Sequence, residues 1–332
     1  LIERLIPSMS ARVLATARNV RLVLPEYADR LREAGIELVI PDTTAVTLTE
    51  AELLDQLPGC IAAVSMPDPY TEAVIAAASP TLKLIARSGV GYDSIDLEAA
   101  RVHGVWVTST VGSNHDAVAD YTFGLMLDLA RRVTETANAT RNGTWARFPG
   151  FELRGKTLGI VGTGRVGREV AARAVGFGLK LVAYDLYPNH DWATQSGVSY
   201  VSLDELMAAS HIVTLHAPST AGTRHLINSA SLSQARPGVC IINTARGELV
   251  DERALLEALV TGHVGGAALD VFSDEPPTAA QAALIAHPKV IPTSHCAGAA
   301  IEAQTRSAAM CLDEVLRVHR GERPLHVVPE LS

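Results

Sequence analysis

The stretch Lys156 to Asp185, KTLGIVGTGRVGREVAARAVGFGLKLVAYD, constrains this chain more than any other. It reads as a strand, a glycine turn, a helix and a second strand. Leu158 to Val161 is a short apolar run with the β-branched content of a strand buried on both faces. Gly162, Gly164 and Gly167 then give G-x-G-x-x-G where that strand would turn into a helix over Arg165 to Val175. Gly162 can take the tight turn, Gly164 lets the backbone approach a pyrophosphate, and Gly167 lets the helix lie close on the strand. The first N–H groups of the helix, around Arg165 and Val166, would face the phosphates. The strand Leu179 to Tyr184 ends in Asp185, close to the distance of about 20 residues at which an acid can bind the adenosine ribose hydroxyls. A glycine triplet alone says little, but in this context it predicts a dinucleotide grip.

At 332 residues the chain has room for two domains, by the prior of roughly 150 residues each. With 48% hydrophobic and 19% charged residues it has the make-up of an ordinary soluble globular protein. The net charge of −8 argues against nucleic acid or an anionic membrane as partner, since both select basic faces. Cys60, Cys240, Cys296 and Cys311 are scattered without C-x-x-C pairing, which fits free thiols in a reducing cytosol. No zinc ligand set is apparent, and His211, His216 and His225 read as non-ligands. The opening LIERLIPSMS is expected to be neither a signal peptide nor a spanning helix.

From Ala11 to Ser109, RVLATA, IELVI, IAAVS, LKLIA and VWVTS read as strands, with PEYADRLREAG, TEAELLDQL, YTEAVIAAA and DLEAARVHG as helices between them. Such alternation predicts βαβ units and a parallel sheet. Thr49 and Glu52 offer a capping box. RSGVGYDSID, Arg87 to Asp96, is a glycine-bearing turn at a strand end, where parallel sheets bind ligands. HDAVADYTFGLMLDLARR is a long helix apolar on most faces, expected to be buried between domains or against another subunit. RNGTWARFPGFELRGK then reads as a loop. Beyond Asp185 the alternation resumes through VSYVS, LDELMAAS, HIVTLHAP, SASLSQARPG, VCIINTAR, DERALLEALVTG, GGAALDVF and VIPTSH, and a last helix spans Ala299 to Arg320. Two doubly wound α/β domains are expected.

Three polar residues fall at the carboxyl ends of successive late strands: Arg246 after VCIINTA, Glu275 after GGAALDVF, and His295 after VIPTS. A doubly wound sheet would put all three on the edge that carries the glycine turn. Arginine grips a carboxylate with two parallel bonds, and histidine is the natural proton donor near neutral pH, its tautomer fixed by a carboxylate on the other nitrogen. An anchor, a proton and a hydride from nicotinamide are what reduction of a 2-oxo acid needs. Singly, Arg246 could start a helix and Glu275 could be a solvated loop acid; their coincidence carries the reading. Asp270 reads as a residue that orients the nicotinamide amide or a main-chain group.

At these residues the chain resembles the D-2-hydroxyacid dehydrogenase family. The matching stretches are RSGVGYDSIDLEAA, the long helix preceded by Asn114, LGIVGTGRVGREVA, LHAPST with TRHLI, INTARGELVDERAL, ALDVFSDEP, SHCAG and GERPLHVV. The resemblance implies a Rossmann NAD-binding domain over residues 110–296 inserted in a flavodoxin-like substrate domain made of residues 1–109 and 297–332. It implies Arg246, Glu275 and His295 as the catalytic set, with the main-chain N–H groups of Ser88, Gly89 and Val90 holding the substrate carboxylate beside Arg246. Along the cofactor it places His216, Ala217, Pro218, Thr223, Thr244, Ala245, Arg246, Asp270, His295 and Gly298 together with the glycine turn and Asp185. Where the family usually has Pro before the histidine and an aliphatic residue after it, this chain has Ser294 and Cys296; the thiol reads as a small buried apolar residue. NAD is expected over NADP, because Asp185 would repel a 2′-phosphate and Leu186-Tyr187-Pro188 brings no arginine. The implied activity is hydride transfer to a small 2-oxo acid, glyoxylate or hydroxypyruvate, with 3-phosphoglycerate as runner-up and an NAD(H)-sensing corepressor as the reading of another class. Ser65-Met66-Pro67-Asp68 lacks the arginine the phosphoglycerate branch commonly places there, while Arg147 could reach a neighbouring site. A cytoplasmic homodimer is expected, formed largely through the helix Asp116 to Arg132 and the loop after it, where Val118, Tyr121, Phe123, Leu125, Met126, Leu127 and Leu129 offer apolar surface.

Overall fold

The computed structural model describes residues 11–43, 45 and 47–332, so the reading of the first ten residues lies outside it. The chain divides into two compact units, one reaching to Asn114 and resuming at Ala299, the other His115–Gly298. The divisions fall at Asn114/His115 and Gly298/Ala299, a few residues beyond those expected.

The first unit alternates β1 (Ala11–Ala15), α1 (Val20–Glu33), β2 (Ile36–Val39), α2 (Glu50–Gln56), β3 (Cys60–Ser65), α3 (Glu72–Ala78), β4 (Leu84–Arg87), α4 (Leu97–Val102) and β5 (Trp106–Ser109). All strand pairs are parallel, in the order β2-β1-β3-β4-β5, the flavodoxin-like sequence of strands. Alternate side chains feed two cores. Leu14, Ala63, Ile85 and Val107 face one way, and Val13, Val64, Leu84 and Ala86 face the other, against Ala308, Cys311, Leu312 and Val315 of the C-terminal helix Ile301–His319. The Thr49–Glu52 capping box forms as expected. Helix α1 starts earlier than anticipated, with Pro25 inside it, because burial of Val20 and Val23 outweighs the one backbone bond that proline removes.

The second unit opens with α5 (His115–Arg131) and α6 (Val133–Arg141), followed by β6 (Thr157–Val161), α7 (Arg165–Gly176), β7 (Lys180–Tyr184), α8 (His190–Ser196), β8 (Ser199–Tyr200), α9 (Leu203–Ala209) and β9 (Ile212–Leu215). It continues through α10 (Ser229–Gln234), β10 (Val239–Asn243), α11 (Glu252–Val260), β11 (Val264–Leu269), α12 (Ala282–Ile285) and β12 (Val290–Pro292). Its parallel sheet runs β12-β11-β10-β9-β6-β7-β8, so the order reverses between β6 and β9. Ligands of doubly wound sheets bind outside the carboxyl ends at such a reversal.

Helix α5 corrects one expectation. Phe123, Leu125 and Met126 are buried in the unit's own core with Leu158, Ile160, Val170 and Ile242, and Tyr121, Leu127 and Leu129 pack on the same cluster. Its apolar faces are covered by α7, β10 and β11 of its own unit, so they are not surplus surface awaiting a second subunit. Helices α6, α8 and α12 are additions to the expected elements, and α6 buries no residue. Among the described residues no helix is long and apolar enough to cross a membrane.

Candidate active site

At the end of β6, Gly162 takes a φ of 90°. A Cβ there would lie 2.6 Å from the Ala217 nitrogen, and one on Gly167 would lie 2.0 Å from the Gly162 oxygen. The turn is thus clamped between α7 and the end of β9, and only hydrogen fits at either position. A Cβ on Gly164 would meet nothing, and α7 starts there with no side-chain cap and no acid in its first turn. The leading N–H groups at Arg165, Val166 and Gly167 are left for an anion, as a pyrophosphate requires. Asp185 accepts the Thr163 N–H at 2.6 Å, the Thr163 hydroxyl at 2.8 Å and the Tyr187 N–H at 2.9 Å, which holds its carboxylate at the mouth of the turn. These residues fit a dinucleotide, and NAD, when bound, supplies or accepts the hydride.

The neighbouring strand ends carry the other expected cofactor residues. His216 sits with Nε2 2.9 Å from the Thr214 hydroxyl, and burial pushes its imidazole down to about 3, so it is neutral. Thr223 closes the next turn, donating to the Pro218 carbonyl at 2.6 Å. Thr244 meets the hydroxyl of Thr122 at 3.1 Å. His211 accepts the Thr157 N–H on Nδ1.

Strands β10, β11 and β12 are adjacent and parallel, and Arg246, Glu275 and His295 follow them in turn. His295 Nδ1 lies 2.7 Å from Glu275 Oε2. With a carboxylate on Nδ1 that nitrogen carries a proton, and Nε2 is the atom left to exchange one with a ligand. Partial burial pushes the Glu275 carboxyl up, but the His295 hydrogen bond and charge, the Phe272 N–H at 3.2 Å and the Arg246 charge outweigh it and hold the carboxyl below its ordinary value. Half-buried Arg246 donates Nη1 to the Ala245 carbonyl at 2.7 Å.

Several supports escaped the sequence reading. Buried Asn243 donates to the Arg246 carbonyl at 2.8 Å and accepts the Ala245 N–H at 3.1 Å, shaping the turn that presents the guanidinium. A Cβ on Gly247 would stand 1.9 Å from the Phe272 carbonyl carbon, so the Arg246 and Glu275 loops touch backbone to backbone. Gln281 and Glu252 gather Ser273 and Asp274, which directly precede Glu275. An Asn that ends an apolar strand is a readable turn signal for Asn243; the others depend on partners distant in sequence.

His295 has a φ of 54°. Buried Asp270 fixes that conformation, accepting the Cys296 N–H at 2.9 Å, the Ala297 N–H at 2.8 Å and the Thr293 hydroxyl at 2.6 Å, while its carbonyl takes the His295 N–H at 2.7 Å. Of the two readings for Asp270, these bonds are to main-chain groups and one hydroxyl. Cys296 is partly exposed, with Sγ 3.3 Å from the Ser294 hydroxyl, rather than the small buried apolar residue expected; Cys60, Cys240 and Cys311 are buried. Gly298 closes this loop.

In the first unit, the turn after β4 differs from expectation in its donors. The Ser88 N–H goes to the Ser65 carbonyl and the Gly89 N–H to the Arg87 carbonyl, both at 2.9 Å. Among the described residues the N–H groups of Val90, which was expected, and of Gly91, which was not, have no main-chain partner. Asp68, at the end of β3, is fully buried and accepts the Leu48 and Met66 N–H groups and the Thr16 hydroxyl; burial pushes its carboxyl up against those bonds.

Comparison with known proteins identifies the family. Residues 123–297 match the family described as D-isomer specific 2-hydroxyacid dehydrogenase, NAD binding domain. The glyoxylate reductase of Korarchaeum cryptofilum is 37% identical over 282 residues, 83% of this chain and 85% of that protein. The D-3-phosphoglycerate dehydrogenase of Archaeoglobus fulgidus is 36% identical over 298 residues, 89% of this chain but 56% of that protein, so the chain spans little more than half its length. The crystal structure of the TT0316 protein from Thermus thermophilus superposes with a TM-score of 0.86 at 38% identity, covering 96% of this chain and 99% of that one. The chain belongs to the D-isomer specific 2-hydroxyacid dehydrogenase family, with an NAD binding domain built on the glycine turn after β6.

Proposed function

We propose that the protein reduces a small unphosphorylated 2-oxo acid, glyoxylate or hydroxypyruvate, with NADH, and oxidises the corresponding D-2-hydroxy acid. The observation that carries the reading is the His295–Glu275 pair, 2.7 Å apart beside Arg246. Arg246 anchors the carboxylate of the acid by its planar pair of N–H donors. His295 gives the carbonyl oxygen its proton from Nε2 and recovers it in the reverse direction. Glu275 holds the imidazole in that tautomer. In the first unit, the Val90 and Gly91 N–H groups suit a carboxylate.

The preference against a phosphorylated acid rests on the end of β3, where Met66 and the buried carboxylate of Asp68 stand in place of a cation. Arg87, the cation of the next strand, points Nη1 at the Ser88 carbonyl, 2.6 Å away, and at the Ser65 carbonyl. A phosphate without a basic partner is costly to desolvate. Preference for NAD rests on Asp185, whose charge would repel a 2′-phosphate. Catalytic efficiency on hydroxypyruvate is expected to exceed that on its 3-phosphorylated counterpart, and NADH to exceed NADPH; the reverse order in either comparison would overturn that half of the reading. Asp185→Ala should narrow the cofactor preference.

The working form is a homodimer. Its support is α6 and the segment after it: α6 buries nothing within its own chain, and Trp145 is 90% exposed. Light scattering at micromolar concentration should give twice the chain mass of 35.2 kDa, and a monomer mass would rule the dimer out. Four thiols, three of them buried, fit a reducing cytosol.

A further inference from the structure

The turn Ser88 to Val90 is held by a buried chain of hydroxyls that takes no part in the chemistry described so far. Ser307, on the C-terminal helix, sits at its centre, its Oγ 2.9 Å from the Ser88 Oγ and 2.9 Å from the Thr110 Oγ1. The amide of Asn19 donates at 2.9 Å to the Ser88 Oγ and at 2.9 Å to the Gln304 carbonyl. Ser113 extends the chain to Thr110 at 3.3 Å, and Arg306 donates to the Ser113 carbonyl at 2.9 Å. Ser88, Thr110, Ser113 and Ser307 are all buried.

Every other polar group of Ser88 and Gly89 is also fixed. The Ser88 carbonyl takes Arg87 Nη1, the Gly89 carbonyl takes the Thr110 N–H at 2.9 Å, and both N–H groups are donated within the unit. What the network leaves is the next two peptides, whose N–H groups at Val90 and Gly91 have no main-chain partner among the described residues. A turn pinned at its base on four sides presents those two donors in one orientation.

We propose that Ser307, through Ser88 and Thr110, is a positioning residue that sets the Val90 and Gly91 N–H groups for the carboxylate of the acid, with Asn19 as the second arm. This rests on the reading that the turn binds that carboxylate. Preorganised donors bind an anion without first having to be ordered, so loosening the base of the turn weakens binding of the acid and leaves the cofactor side alone. The choice of serine at 307 also has a local logic. A buried hydroxyl in mid-helix would otherwise turn back onto its own helix carbonyl; here it bridges two hydroxyls of other segments.

The test is steady-state kinetics on hydroxypyruvate with NADH, joined to NADH binding by fluorescence. Ser307→Ala is expected to raise KM for the acid about fivefold, the usual worth of one hydrogen bond, with kcat and the NADH Kd nearly unchanged. Ser88→Ala should give the same shift, and Ser307→Thr, which keeps the hydroxyl, should restore most of it. Asn19→Ala combined with Ser307→Ala should be non-additive, since both act on one Oγ. Gly89→Ala separates this inference from the reading beneath it, because a Cβ there lies 2.9 Å from Arg87 Nη1 and distorts the turn directly. If Gly89→Ala raises KM and Ser307→Ala does not, the positioning role is refuted while the carboxylate site stands. If Gly89→Ala also leaves KM unchanged, the reading of the turn fails and the inference falls with it. Equal losses in kcat, KM and NADH binding for Ser307→Ala would mark a merely structural residue and overturn the proposal.

Discussion

His295→Ala is expected to lose about 10²–10⁴-fold in turnover on hydroxypyruvate while binding NADH as before. The size follows from what the side chain alone can supply. Its Nδ1 is engaged by Glu275 at 2.7 Å, so Nε2 is the one ring atom placed to pass a proton. The positive φ at His295 favours alanine less than glycine, but the surrounding bonds to Asp270 are made by main-chain groups and Thr293, and they survive the change. Glu275→Gln should lose less, because an amide oxygen can still accept from Nδ1 and orient the ring. The pair also has a pH signature. The Glu275 carboxyl is held below its ordinary value by the interactions described, so its contribution to stability is present above the ordinary glutamate range and lost as pH falls through the depressed value. In Glu275→Gln that acid-side loss should disappear from a melting-temperature profile. Near-normal turnover in His295→Ala would remove the histidine from the chemistry.

What could be read in the sequence was whatever local sterics leave no choice about. Gly162 and Gly167 are legible because their neighbours stand where a Cβ would go, so glycine at that spacing implies the turn, the helix and the strand together. Arg246, Glu275 and His295 were legible because a parallel sheet sorts residues by strand end, and strand ends show as breaks in apolar runs. The reading failed where the deciding partner is remote. Nothing in HDAVADYTFGLMLDLARR says that α7, β10 and β11 cover it rather than a second subunit. The donors of the turn after β4 follow from Ser65 on another strand. Helix α6 was invisible because its sequence, VTETANATR, has no apolar stripe and it buries no residue.

Arg246→Lys is the substitution that separates charge from geometry at the same site, and it is expected to cost at least about 100-fold in kcat/KM on the oxo acid. Lysine keeps the positive charge that helps hold the Glu275 carboxyl down, so the His295–Glu275 pair should remain in its working state. What it cannot keep is the planar fork. In the wild-type protein Nη1 is already given to the Ala245 carbonyl at 2.7 Å, which fixes the plane of the guanidinium and directs its other N–H groups as a set. An ammonium replacing it has its donors at a single point: satisfying the Ala245 carbonyl pulls it away from a carboxylate, and meeting the carboxylate strands the carbonyl. Each charge-assisted bond lost is worth about 1.5–3 kcal/mol, so losing one and misplacing another reaches two orders of magnitude. The backbone around the site should not move, because Asn243 and Gly247 set that turn independently of the side chain. NADH titration and melting temperature should therefore match the wild type while kcat/KM collapses. If Arg246→Lys instead retains kcat/KM to within about threefold, the arginine serves as a point charge and the two-bond anchor is wrong. Arg246→Gln would then be the variant to fail, and the Glu275 carboxyl in it should rise toward its ordinary value once that cation is gone.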